Sequence, residues 1–267
     1  MTISVITYSN TTSDLKCYAD SRISAGYSLL TNHAMKILPL SLSLADSYLI
    51  EHPENTYCLH QIGFTYAGSV NVSMFVYCLL SHFCKNLMPN PALQGRNCLF
   101  PSIQDLSFMT SEILYSYVKD FASIDAMGAF SEIVIFGYCY QEKKYKAFHI
   151  QPMLKDSNLF VEVNDTKIDE IPFFAIGSGK DILLKKIHNA PEKHISKIVR
   201  EIIADENSAE KGVGGFFQRA LCNERRLYLF NENPSENINM PFLGKFPMVF
   251  CVGSGTHIVA LSSLAYD

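Results

Sequence analysis

The sequence has no run of like charge, no cysteines at metal-ligand spacing and no unbroken apolar stretch of membrane-spanning length. Each absence removes a class of function. Its 22 Lys and Arg against 26 Asp and Glu leave a net charge of −4, and the basic residues are scattered apart from short clusters at Lys143, Lys144, Lys146 and at Arg225, Arg226. Without a basic stripe or arm, nucleic acid is excluded as a partner, and the abundant Phe and Tyr lack the interleaved basic residues that base stacking uses. Of the eight cysteines, Cys78 and Cys84 share a predicted helix, yet no CxxC or Cys/His cluster accompanies them. No metal and no cofactor is therefore expected. Cys58, Cys78, Cys139, Cys222 and Cys251 lie in apolar runs, where Cys serves as a small hydrophobe; reduced thiols and a cytoplasmic setting follow. The longest apolar stretch, from Val72 to Leu87, is broken by Ser81, His82 and Lys85, so no membrane is expected. Met1-Thr2-Ile3-Ser4-Val5 has no basic leader region, and neither repeats nor low-complexity segments occur.

What is present describes one globular domain over residues 1–267, 48% hydrophobic and 18% charged, large enough to bury a substantial core. Thr2–Tyr8 and Leu15–Ala19 are rich in β formers and flank a polar turn, predicting an opening hairpin. A second hairpin-like pair is expected near His33–Leu38 and Tyr57–Tyr66, with an insertion or short helix over about 41–56. Ser69 and Ser102 stand as N-caps before two helical patterns, Val72, Phe75, Val76, Leu79, Leu80, Phe83 and then Leu106, Met109, Ile113, Leu114, Tyr117, Phe121. A further insertion separates them near 89–101. Strands resume over Glu132–Tyr140, Lys144–Gln151, Leu159–Val163 and Phe173–Ile176. Helices are predicted after Gly177-Ser178-Gly179 and from Pro191 through Ile203, then closing strands at Phe216–Leu221, Arg226–Phe230 and Pro247–Leu261. Strands, two helices, strands, two helices, strands is an α+β order, and it suits a four-layer α-β-β-α sandwich in which each helical pair covers one sheet.

Five elements in this order resemble the proteasome β-subunit and HslV family of N-terminal-nucleophile (Ntn) hydrolases. They are Thr2 opening the first strand; Ala19-Asp20-Ser21-Arg22; Lys36, sixteen residues beyond Asp20, with Gly26 between; Tyr66-Ala67-Gly68-Ser69; and Ala175-Ile176-Gly177-Ser178-Gly179. The resemblance implies an Ntn fold and a threonine-type endopeptidase with Thr2 as nucleophile once Met1 is removed. Three departures stand out. Ile3 replaces the Thr common beside the nucleophile, the first hairpin is about two residues longer, and no Asp-x-x-Ser-Gly segment occurs, the nearest stretch being Ser208-Ala209-Glu210-Lys211-Gly212.

The chemistry agrees with those residue types. A Thr hydroxyl needs a base, and a free α-amino group, with an ordinary pKa of about 7.7 to 8.0, can serve. A neighbouring Lys⁺ lowers the pKa of that amine and stabilises the alkoxide, and a carboxylate holds the Lys charged. The resemblance gives these roles to Lys36 and Asp20, the oxyanion donor to the Gly68 backbone N–H, and a proton relay near the amine to Ser178. It implies that Ile23, Ala34, Tyr66 and Val70 line the pocket for the substrate side chain before the cut. A peptide or protein substrate and a homo-oligomeric ring are likewise implied, while neither ring size nor an ATPase regulator such as HslV uses can be assigned. Two other readings share the fold: a catalytically silent scaffold or interaction subunit, and an Ntn amidase acting on small molecules.

Overall fold

The computed structural model describes residues 2–25, 28–51, 60–88, 100–125, 128–156, 158–189, 194–205, 212–232, 242–243 and 246–247. Met1, Gly26, most of 208–212, residues 52–56 of the first predicted insertion, most of the second and nearly all of the closing strand over 247–261 lie outside them.

Two five-stranded sheets organise the chain. One has the order β10-β1-β2-β11-β12, from β1 (Ser4–Ser9), β2 (Asp14–Ala19), β10 (Phe174–Ile176), β11 (Phe217–Cys222) and β12 (Leu227–Glu232). The other runs β5-β6-β7-β8-β9, from β5 (Ile37–Leu42), β6 (His60–Gly68), β7 (Ser131–Cys139), β8 (Lys144–Lys155) and β9 (Asn158–Asp165). Every pairing within them is antiparallel. A short hairpin, β3 (Ile23–Ala25) with β4 (Ser28–Thr31), and a two-residue pair, β13 (Phe242–Leu243) with β14 (Phe246–Pro247), stand apart.

The helices are α1 (Asp46–Glu51), α2 (Val70–Cys84), α3 (Ile103–Ala122), α4 (Lys180–Asn189) and α5 (Ile195–Ala204). Both predicted caps are in place. The Ser69 hydroxyl accepts from Val72 N, and Ser102 forms a reciprocal capping box with Asp105; a cap of this kind is worth about 1 kcal/mol. Helix α3 buries Ile103, Leu106, Thr110, Leu114 and Val118, the three- and four-residue spacing of one helical face.

Side-chain alternation along the strands divides the core. Ile3, just before β1, and Val5 within it belong to a cluster with Leu183 of α4 and Ile198, Val199, Ile202 and Ile203 of α5. Ile6 points the other way, into a cluster with Cys17, Ala19, Ala220 and Leu229 of its own sheet and Val134, Phe136 and Ala147 of the second. The second sheet's remaining face, with Leu40, Ile62, Phe64 and Ile133, packs on Val72, Val76 and Leu80 of α2 and Leu106 and Leu114 of α3.

The strand expected over 33–38 is instead Ile37–Leu42. Pro39 obscures it in the sequence, since a residue without an N–H suits only a sheet edge; β5 is an edge strand, paired on one side with β6. Ser41 and Leu42, placed in the predicted insertion, thus belong to the sheet.

Candidate active site

Period-two alternation carries past the start of β1. Thr2 shares the face of Ser4 and Ile6, which looks toward the second sheet, and the Ser4 hydroxyl meets Thr65 Oγ1 of β6 at 2.8 Å. Asp20 follows β2 directly. Its backbone N–H donates to Ile3 O at 3.2 Å, and its Oδ1 accepts from Ile3 N at 3.0 Å. Lys36 arrives from the other sheet, on the residue before β5.

The three meet in the interior. Lys36 Nζ donates to Thr2 Oγ1 at 2.9 Å and to Asp20 Oδ1 at 2.8 Å. Thr2 is 5% exposed, Lys36 1% and Asp20 0%. Burial pulls the Lys36 pKa below the usual lysine value, and the Asp20 carboxylate opposes that shift. Asp20 is held on all sides: besides Ile3 N and Lys36, its Oδ2 accepts from Arg22 N at 3.2 Å and Gly214 N at 3.3 Å.

Gly177 and Gly179 form the seat of Thr2. Gly179 N donates to Thr2 O at 3.0 Å, and Gly177 has φ +84° with space for no side chain, since a Cβ would sit 2.3 Å from that same oxygen. Ser178 stands exposed between them. Gly68 ends β6 at φ +97°, where a Cβ would come within 2.5 Å of Phe130 O. Glycine at this position therefore lets two protein backbones approach, beyond any room it leaves for a substrate.

The four residues expected to line a pocket are not alike. Ala34 lies beside the site, its N donating to Ser21 O at 2.9 Å. Ile23 opens β3 and Val70 opens α2, both half-buried. Tyr66 is 1% exposed within the core shared with α2 and α3, and its hydroxyl donates to Met35 O at 3.1 Å, next to Lys36. Its place is explained by β6, which is buried along its length except at Gly68.

Two supports have no counterpart in the motifs. Gln218 of β11 accepts from Lys36 N at 2.8 Å and Ile37 N at 3.3 Å through Oε1, and donates to Ala34 O at 2.8 Å through Nε2. The Gly212–Gly215 turn packs on the Asp20 segment: Gly214 O accepts from Ser21 N and Arg22 N, and Phe216 N donates to the Ser21 hydroxyl at 2.7 Å. Glycine spacing hints at the second; nothing local marks the first, 182 residues from Lys36. Among the described residues no group of His, Cys, Asp or Glu could hold a metal ion.

The fold is mixed α+β, and the solved structures that share it include Anbu proteins, one of them named as an ancestral beta-subunit. Anbu from Yersinia bercovieri gives a TM-score of 0.54 at 13% identity, covering 87% of this chain and 88% of that one. An Anbu mutant from Hyphomicrobium sp. strain MC1 gives 0.57 at 14% identity, covering 89% of each. Identity this low establishes fold alone. No family model and no curated protein matches the sequence.

These neighbours correct the resemblance to proteasome β-subunits and HslV, because Anbu proteins are proteasome-like but distinct from both. The reason is visible in the site. Ala19-Asp20-Ser21-Arg22 and Gly177-Ser178-Gly179 hold the backbone around Thr2, so they report the geometry of the fold and do not separate its branches.

Proposed function

We propose that this chain is a threonine peptidase that cleaves peptide bonds through an acyl-enzyme on Thr2. The observation that carries this reading is the buried contact of Lys36 Nζ with both Thr2 Oγ1 and Asp20 Oδ1. Removal of Met1 frees the Thr2 α-amino group. That amine takes the hydroxyl proton as Oγ1 attacks the substrate carbonyl, and Lys36 stabilises the oxygen as its charge grows. The amine then protonates the leaving nitrogen, the peptide bond breaks, and an ester links Thr2 to the acyl fragment. Water, activated by the same amine, hydrolyses the ester and restores Thr2. Gly68 N–H is assigned to the oxyanion, Ser178 to the amine's proton, and Ile23, Ala34 and Val70 to the substrate side chain, with Tyr66 backing that wall from the core.

The same reading makes residues 1–267 one domain in four layers, α4 and α5, two sheets, then α2 and α3; it is supported by the three separate core clusters. Self-association is supported by α2, which lacks Asp, Glu, Lys and Arg yet leaves Phe75 49% and Phe83 44% exposed. The described free cysteines fit a reducing, cytoplasmic setting. No described helix is long and apolar enough to cross a membrane.

Hydrolysis of fluorogenic peptides tests the activity. Turnover by the chain beginning at Thr2, lost in Thr2→Ala and in Lys36→Met, is expected. A folded chain beginning at Thr2 that cleaves no member of a diverse peptide library would leave the silent scaffold as the better reading.

A further inference from the structure

We propose that the concavity between α5 and the outer face of the first sheet binds a small phosphate-bearing anion, at a site separate from Thr2. The cavity has a volume of about 420 Å³, and its lining includes Lys16, Lys197, Arg200 and Arg219. It opens on the sheet face opposite the one Thr2 shares. In β2, Leu15 and Cys17 point between the sheets, so Lys16 and Tyr18 point outward. Register places Arg219 of β11 beside Tyr18 on one side and Phe230 of β12 on the other.

Three features favour an anion there. The first is surplus charge. Among the described residues the cavity lining holds Lys16, Lys197, Arg200 and Arg219 and no carboxylate. Asp14 lies 3.2 Å from Lys16 and the nearly buried Glu232 is shared by Arg200 and Arg219, so the wall is positive in a chain of net charge −4. The second is preorganisation. The Arg200 guanidinium lies 4.8 Å over the Phe217 ring and that of Arg219 4.7 Å over Phe230, fixing two planar donor arrays at the cavity wall. Glu232 occupies only part of their donor capacity, and among the described residues the buried Arg219 Nε meets no acceptor. The third is the start of α5, where the N-cap His194 makes no side-chain cap bond, the first turn holds no acidic residue, and Ser196 and Lys197 reach the cavity.

Guanidinium pairs bind phosphate oxygens through parallel N–H bonds, and a multiply charged anion suits a cationic wall of this kind. Calorimetric titration of the full chain with pyrophosphate, orthophosphate and malonate tests the site. One saturable pyrophosphate site is expected, stronger than that for malonate, weakening with salt, and unchanged in Thr2→Ala. Lys197→Gln, on the exposed rim, should weaken it about 5-fold and Arg219→Gln about 10-fold or more; should Arg219→Gln not fold, Lys197→Gln decides. No saturable binding, binding unaltered in Lys197→Gln, or malonate bound as tightly as pyrophosphate would each overturn the proposal.

Discussion

Lys36 Nζ lies 2.8 Å from Asp20 Oδ1, and both side chains are sealed from solvent, at 1% and 0% exposure. The pair joins the two sheets, and its halves are supported unequally. Asp20 also accepts from three backbone N–H groups, whereas Lys36 has Asp20 and the Thr2 hydroxyl. Removing the carboxylate should therefore cost more than removing the amine. Asp20→Ala is expected to lose about 3–5 kcal/mol, the usual range for orphaning a buried charge, and Lys36→Met less. Denaturant midpoints of both variants and their double mutant measure this difference.

Gln218 is expected to act as a positioning residue for Lys36. Gln218→Leu leaves Lys36 N, Ile37 N and Ala34 O without their buried partner, at roughly 2–5 kcal/mol in total. Gln218→Glu keeps the acceptor for both N–H groups and should recover part of that stability. If the leucine variant unfolds at the wild-type midpoint, the clamp contributes nothing.

Gly177→Ala should unseat Thr2. The substitution combines a φ of +84° with a Cβ 2.3 Å from Thr2 O, which together cost roughly 2–4 kcal/mol. Any reaction of Thr2 with an acylating inhibitor should slow in step, while Gly63→Ala, remote from Thr2, changes stability without that specific loss. Inhibitor rates measured on the folded fraction separate the two effects.

His60 sets an acid-side dependence. It is 2% exposed, its Nε2 lies 2.9 Å from Tyr138 O, and burial pushes its pKa down to about 4. The unfolded chain, with a pKa near 6.5, takes up the proton first as pH falls. The stability that neutral His60 contributes is thus complete above about 6.5 and is lost as pH drops toward 4, by about 3 kcal/mol. Urea midpoints of wild type and His60→Leu between pH 7 and 4 should converge by that amount; parallel curves would show that His60 does not titrate this way.

Much of this site is legible in the sequence because it rests on local rules. Thr2, Asp20 and Lys36 come into consideration through the ordered motifs of the family resemblance and the sixteen-residue interval between Asp20 and Lys36, and Ser69 and Ser102 announce their helices. The parts that are not legible depend on distant packing. Gln218 reaches Lys36 across 182 residues with only a glutamine to show for it. Pro39 reads as a break until β5 is known to be an edge. Tyr66 reads as a pocket wall until β6 is seen to be buried on both faces. Motifs built from turn glycines and a buried carboxylate belong to the fold as a whole, so they could not distinguish an Anbu-like architecture from HslV.

Intact mass of the untagged protein, before and after a peptide epoxyketone or β-lactone, tests the central claim most directly. The expected result is loss of Met1 and a single adduct that is absent in Thr2→Ala. A mass retaining Met1, with no adduct on the folded protein, would contradict Thr2 as the nucleophile.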